Sequence, residues 1–205
     1  LAMGLLLASS FANAAQPLLT PAELASAQQA TPAPVVIDIR EPKLYAEGHI
    51  PGALNAPYGK WRGPATNPGE LPDVGKLTAL VQSLGLTPAT HAVVVSTGAD
   101  TTDFGAMARV YWTLKVLGLK DLSIVNGGMK SWVADGKPVS KDTPQVAASS
   151  YQPKLDESLI ATRDQVRQHV DLSNAALVDS RPDAFYKGET RAPAAKLSGT
   201  LPGAQ

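Results

Sequence analysis

The sequence predicts an α/β fold: a mostly parallel sheet with helices on both faces, followed by a partial second copy of the same unit. Three observations carry this expectation. Short apolar runs at residues 35–39, 92–96 and 122–125 are rich in Val and Ile and read as buried strands. Longer stretches with helical spacing and clear cap signals separate them, the alternation that places parallel strands beneath crossover helices. Finally, three anchors recur at one spacing. Thr162 follows Thr20 by 142 residues, Asp179 follows Asp38 by 141, and Tyr186 follows Tyr45 by 141.

The elements follow in order. Thr20-Pro21-Ala22-Glu23 has the form of a capping box and opens a helix that the prolines around Thr31 end. Residues 35–39 form a central strand. A short helix follows over residues 41–47, with Pro42 at its start and Gly48 at its stop. Residues 58–73 make a long Gly/Pro loop holding Trp61 and Arg62, where an interior loop of that length is functional or mobile. Asp73 caps a helix with Leu77, Leu80, Val81 and Leu84 on one face. A strand at 92–96, a loop at 97–103 and a helix at 104–117 come next, with Asp103 expected as the N-cap of that helix. The strand at 122–125 leads through Asn126-Gly127-Gly128, a tight strand-to-helix turn, into a helix over 129–135.

The boundaries expected from this pattern are a complete module at 18–139, a polar linker at 140–157 and a partial second module at 158–205. In the second module Thr162 and Gln165 repeat the capping box, and residues 176–179 repeat the strand. A later anchor drifts, because Pro202 follows Pro51 by 151 residues, so an insertion is expected near residues 187–198. A half-built second sheet leaves an apolar face and an open edge, and on that ground the chain is expected to be part of a longer protein.

Composition narrows the partners. Lys+Arg 18 against Asp+Glu 18 leaves no net field to gather nucleic acid or an anionic membrane surface. Hydrophobic residues at 44% are enough for a packed core. Zero cysteine excludes disulfides and thiolate metal sites, and no cofactor or metal is implied. Residues 1–14 are apolar and end in Ala12-Asn13-Ala14, the small-x-small pattern of a secretory leader. They are expected to be a signal-peptide remnant on a periplasmic or secreted protein that has no membrane attachment after cleavage. The competing reading is an N-terminal anchoring helix.

The most specific stretch is residues 35–57. Val35-Val36-Ile37-Asp38-Ile39-Arg40 leads to Tyr45, then Gly48-His49-Ile50-Pro51-Gly52-Ala53 and Asn55. Weaker echoes are Asp179-Ser180-Arg181, Tyr186 and Leu201-Pro202-Gly203-Ala204. The stretch resembles the rhodanese (sulfurtransferase) homology domain, and two copies in series resemble a tandem rhodanese. A second family-like block is Asn126-Gly127-Gly128 before a helix carrying Trp132.

The resemblance implies a sulfurtransferase. It would move sulfane sulfur from a small donor such as thiosulfate or 3-mercaptopyruvate to a thiophilic acceptor such as cyanide or a thiol, through a cysteine persulfide. The family's cysteine ends a strand and sits in a loop of inward backbone N–H groups that hold an anion. Here the resemblance places Thr97 at that position, with Ser96 as the alternative, and a hydroxyl carries no persulfide. No catalytic residue is therefore expected in this chain, and the first module is expected to be inactive. The cysteine is expected in the missing part of the second module, with Asp179 and Arg181 supporting substrate there. Their counterparts Asp38 and Arg40 are expected to be structural, and His49 to stabilise its turn. Competing readings are a non-catalytic scaffold of degenerate modules, and a phosphatase-like relative that also needs a cysteine.

Overall fold

Three β-branched runs form the centre of one parallel sheet in the computed structural model, which describes residues 15–193 and 195–205. The leader expected at residues 1–14 lies outside the described residues. In the first unit, ending at Leu155, the elements are β1 (Leu18–Leu19), α1 (Pro21–Ala27), β2 (Val35–Asp38), α2 (Pro42–Glu47), β3 (Leu54–Asn55), α3 (Val74–Ser83), β4 (Ala92–Val95), α4 (Thr101–Val116), β5 (Leu122–Val125) and α5 (Gly128–Ala134). The strand order is β1-β5-β4-β2-β3, and every pairing is parallel. β1 and β3 are two residues each, and no sequence pattern marked them.

The central strands are apolar on both sides, which explains the unbroken Val/Ile runs. Ile37, Val94 and Ile124 face one core, filled by Leu77 and Val81 of α3 and Met107, Val110 and Leu114 of α4. Val36, Val93 and Val125 face the other, filled by Leu24 of α1 and Met129 and Trp132 of α5. The capping box at Thr20 forms as expected: Glu23 N donates to Thr20 Oγ1, and Thr20 N donates to the Glu23 carboxylate.

Trp61, in the long loop, is fully buried in a 3-10 turn at Tyr58–Trp61, and its indole N–H donates to Ala56 O at 3.0 Å. Its ring fills the core under the long loop, a larger gain than exposure would leave. The polar stretch after Val139 is also laid along the first unit. Ser149 N donates to Gln82 O at 3.0 Å, Ser149 Oγ to Leu86 O at 2.6 Å, and Tyr151 OH to Leu117 O at 2.6 Å.

The second unit, Asp156–Gln205, contains α6 (Arg163–Leu172) and α7 (Asp183–Tyr186). α6 opens with the expected capping box between Thr162 and Gln165. The strand expected at 176–179 does not form. Leu177 O and Asp179 N bond only to Gln205, no other strand flanks them among the described residues, and Val178 is 79% exposed. A strand needs neighbours to pair its backbone and cover its side chains, and one bridge supplies neither.

Candidate functional site

Asp38 stands where β2 ends, is fully buried, and meets an Arg40 side chain that is 8% exposed. Asp38 Oδ1 accepts from Arg40 N and Nε at 3.0 Å, and Oδ2 accepts from Arg40 Nη2 at 2.6 Å. The same Nη2 donates to Gly48 O at 2.8 Å. Asn55 Nδ2 donates to Asp38 O at 3.0 Å and Arg40 O at 2.9 Å, and Tyr45 OH donates to Ala53 O at 2.6 Å. The spacing of the Asp-x-Arg and Gly-His-Ile-Pro-Gly-Ala-x-Asn blocks thus has a physical content: Arg40 and Asn55 each bond the backbone of the other block, Tyr45 bonds Ala53 O, and Asp38 holds Arg40 in place. Burial, and secondarily the Asp38 charge, push the Tyr45 phenol up.

His49 is fully buried and stacks on the Tyr45 ring, centroids 3.8 Å apart. Its Nδ1–H donates to Tyr45 O at 2.9 Å, since a carbonyl only accepts, and Nε2 has no hydrogen-bond partner among the described residues. These contacts lie within the turn.

The loops after β4 and β5 touch at their glycines. Met129 N donates to Ser96 O at 2.8 Å and Lys130 N to Thr97 O at 2.9 Å, so the first turn of α5 pins the β4 loop. Gly98 has φ +80°, and a Cβ there would stand 1.8 Å from Gly127 O. Thr97 and Ala99 line an open cleft of about 670 Å³ with Arg40, Gly48, Met129 and Lys130. The sequence-predicted Arg40 and Thr97 therefore meet at one cleft, at the carboxyl ends of β2 and β4.

Asp103 is not the cap of α4. Asp100 is: its Oδ1 accepts from Thr102 N at 2.8 Å and Asp103 N at 2.9 Å, and the helix starts at Thr101. Asp103, already inside the first turn, bends back. Its carboxylate accepts from Ser96 Oγ at 2.5 Å, Ala99 N at 3.2 Å and Gly98 N. Either aspartate satisfies a cap pattern in sequence, and the loop's inward N–H groups decide between them.

The second unit repeats the centre of the Asp-x-Arg network, without the Asn55 bonds. Asp179 Oδ1 accepts from Arg181 N at 3.1 Å and Nε at 2.8 Å, and Oδ2 from Nη2 at 2.5 Å. Arg181 Nη2 donates to Gly199 O at 2.7 Å, as Arg40 does to Gly48 O, and Tyr186 OH donates to Ala204 O at 3.0 Å. Thr200, in the place of His49, adds a bond from Oγ1 to Asp179 Oδ2 at 2.7 Å. The Arg181 guanidinium first, and the Thr200 hydroxyl second, hold the Asp179 carboxyl far below the usual carboxylate range. The pair borders a hollow of about 710 Å³ with Gly199 and Thr200. Among the described residues, none of this unit is buried.

Arg109 was not singled out by sequence. Its Nη1 and Nη2 donate to Gly69 O at 2.8 Å and Glu70 O at 2.9 Å, and its guanidinium lies 4.9 Å from the Trp112 ring centroid. It holds the long loop against α4, and desolvation lowers its pKa. An arginine in an otherwise ordinary helix, with carbonyl partners some forty residues away, leaves no local signal.

Comparison with known proteins agrees with this geometry. The rhodanese-like domain family matches residues 20–135. A thiosulfate sulfurtransferase of Azotobacter vinelandii is 33% identical over 188 residues, covering 91% of this chain and 67% of the relative. The thiosulfate sulfurtransferase of Cricetulus griseus is 35% identical over 148 residues, covering 71% of this chain and 49% of the relative. The chain thus spans about half the length of the first of the curated relatives it matches. Among solved structures, the 3-mercaptopyruvate sulfotransferase SseA from Escherichia coli superposes with a TM-score of 0.72 at 22% identity, covering 91% of this chain and 72% of that one. The parallel five-stranded sheet, the Asp38–Arg40 network and the span of these matches lead to one assignment: the chain belongs to the rhodanese family of sulfurtransferases.

Proposed function

We propose that this chain carries a complete, non-catalytic rhodanese module and the opening of a second module of a tandem sulfurtransferase. The whole protein moves sulfane sulfur from a donor such as thiosulfate or 3-mercaptopyruvate to cyanide or a thiol. The persulfide forms on a cysteine outside these 205 residues, which contain none. The observation that carries this reading is the Asp179–Arg181 network, which repeats Asp38–Arg40 down to the bond to a Gly carbonyl. Thr97 occupies the cysteine position of the first module, and Asp38 and Arg40 hold its loops. Arg181 supplies a fixed positive charge that favours an anionic donor, with Asp179 holding its guanidinium in place.

Thiosulfate:cyanide turnover tests the reading. This chain alone is expected to show none above a heat-killed control, and reproducible turnover by pure chain would demand another mechanism. In the full-length protein, Arg181→Ala is expected to lower turnover per folded molecule at least about tenfold more than Arg40→Ala. Equal losses would leave both arginines as scaffolding.

The scaffold reading, in which neither module reacts, has one observation in its favour: Asp103 already occupies the loop donors of the first module. A full-length protein that binds thiosulfate without turnover would favour it. Export to the periplasm or outside the cell is proposed from the apolar run ending at Ala14. Mature protein whose N-terminal sequence still begins at Leu1 would count against export.

A further inference from the structure

We propose that Asp103 is a built-in anion that fills the anion cradle of its own loop and so closes the first module to sulfur anions; this rests on the sulfurtransferase reading. Three donors converge on the carboxylate: Ser96 Oγ, Gly98 N and Ala99 N. All three belong to the loop that leaves β4 and flanks Thr97, and Thr97 lines the cleft that also holds Arg40 and Lys130.

Helix initiation does not need this arrangement. Asp100 already bonds the N–H groups of Thr102 and Asp103, so Asp103 is free to turn away from α4. It takes up instead the donors that would otherwise stabilise a negative sulfur at position 97. A thiolate or persulfide there meets donors already engaged and a like charge beside them, and a like charge disfavours ionisation. The module is therefore closed by two separate features, the missing thiol and the resident carboxylate. Restoring the thiol alone does not restore the chemistry of the loop.

The absence of any cysteine makes the test clean, because an introduced thiol is the only one in the chain. The variants are Thr97→Cys alone, Thr97→Cys with Asp103→Ala, and Thr97→Cys with Asp103→Asn. The probe is iodoacetamide, with alkylation rate followed against pH and folding checked by circular dichroism melting. With Asp103 in place the thiol is expected to titrate at or above about 8.5, the value of an unperturbed cysteine. Asp103→Ala is expected to speed alkylation at neutral pH about tenfold by lowering that titration. Asp103→Asn, which removes charge but keeps shape, is expected to act in the same direction by a smaller factor. An unchanged pH profile in folded Asp103→Ala protein overturns the proposal, and if that variant does not fold, an unchanged profile in Asp103→Asn overturns it. Neither result touches the sulfurtransferase reading, which stands or falls on turnover by the full-length protein.

Discussion

Gly98→Ala is expected to destabilise the first unit by more than about 3 kcal/mol, read as a fall in the urea midpoint at constant slope. Two costs combine. The residue sits at φ +80°, where an L side chain costs about 1–2 kcal/mol. The new Cβ would also stand 1.8 Å from Gly127 O and 2.6 Å from its carbon. That carbonyl cannot retreat cheaply, because it accepts from Ser131 N at 3.1 Å while Met129 and Lys130, in the first turn of α5, are tied to Ser96 and Thr97. Gly52→Ala separates the two costs. It has nearly the same φ, +79°, with nothing within 4 Å, so only the backbone penalty of about 1–2 kcal/mol is expected. Equal losses at the two positions would mean that the β4 and β5 loops part easily, contrary to the contact described.

Arg40→Ala is expected to cost about 3–5 kcal/mol, because it leaves the fully buried Asp38 carboxylate without its counter-charge. The Gly48 carbonyl loses its Arg40 donor at the same time. A double variant, Asp38→Ala with Arg40→Ala, is expected to lose less than Arg40→Ala alone, since no charge is then stranded in the interior. Urea denaturation of the three proteins decides it: a single-variant loss below about 1 kcal/mol would show that water reaches Asp38 and that the network is weakly coupled to the fold.

The parts of this molecule legible in sequence are those governed by neighbours along the chain. The Val/Ile runs of β2, β4 and β5 gave themselves away because both their faces are buried. The capping boxes at Thr20 and Thr162 are complete within four residues. The Asp38 and Arg40 positions were visible through a motif, although the motif says nothing of the bond to Gly48. What escaped depends on distant partners. β1 exists because Leu18 and Leu19 pair with Ile124 and Val125, far along the chain. The residues at 176–179 carry strand chemistry, but among the described residues they meet only Gln205 and no second strand. Asp100 and Asp103 are equivalent in sequence, and only the path of the β4 loop gives one the cap and the other the loop donors.

The strap after Val139 separates two meanings of the word module. The match to the rhodanese-like domain ends at Asp135. The packed unit extends to Leu155, because Ser149 and Tyr151 are bonded to the ends of α3 and α4, and Tyr151 and Leu155 cover part of the core beneath. A stretch outside the matched domain thereby closes the surface of the fold. A boundary drawn after Leu155 keeps those contacts, and one drawn after Asp135 strips them away.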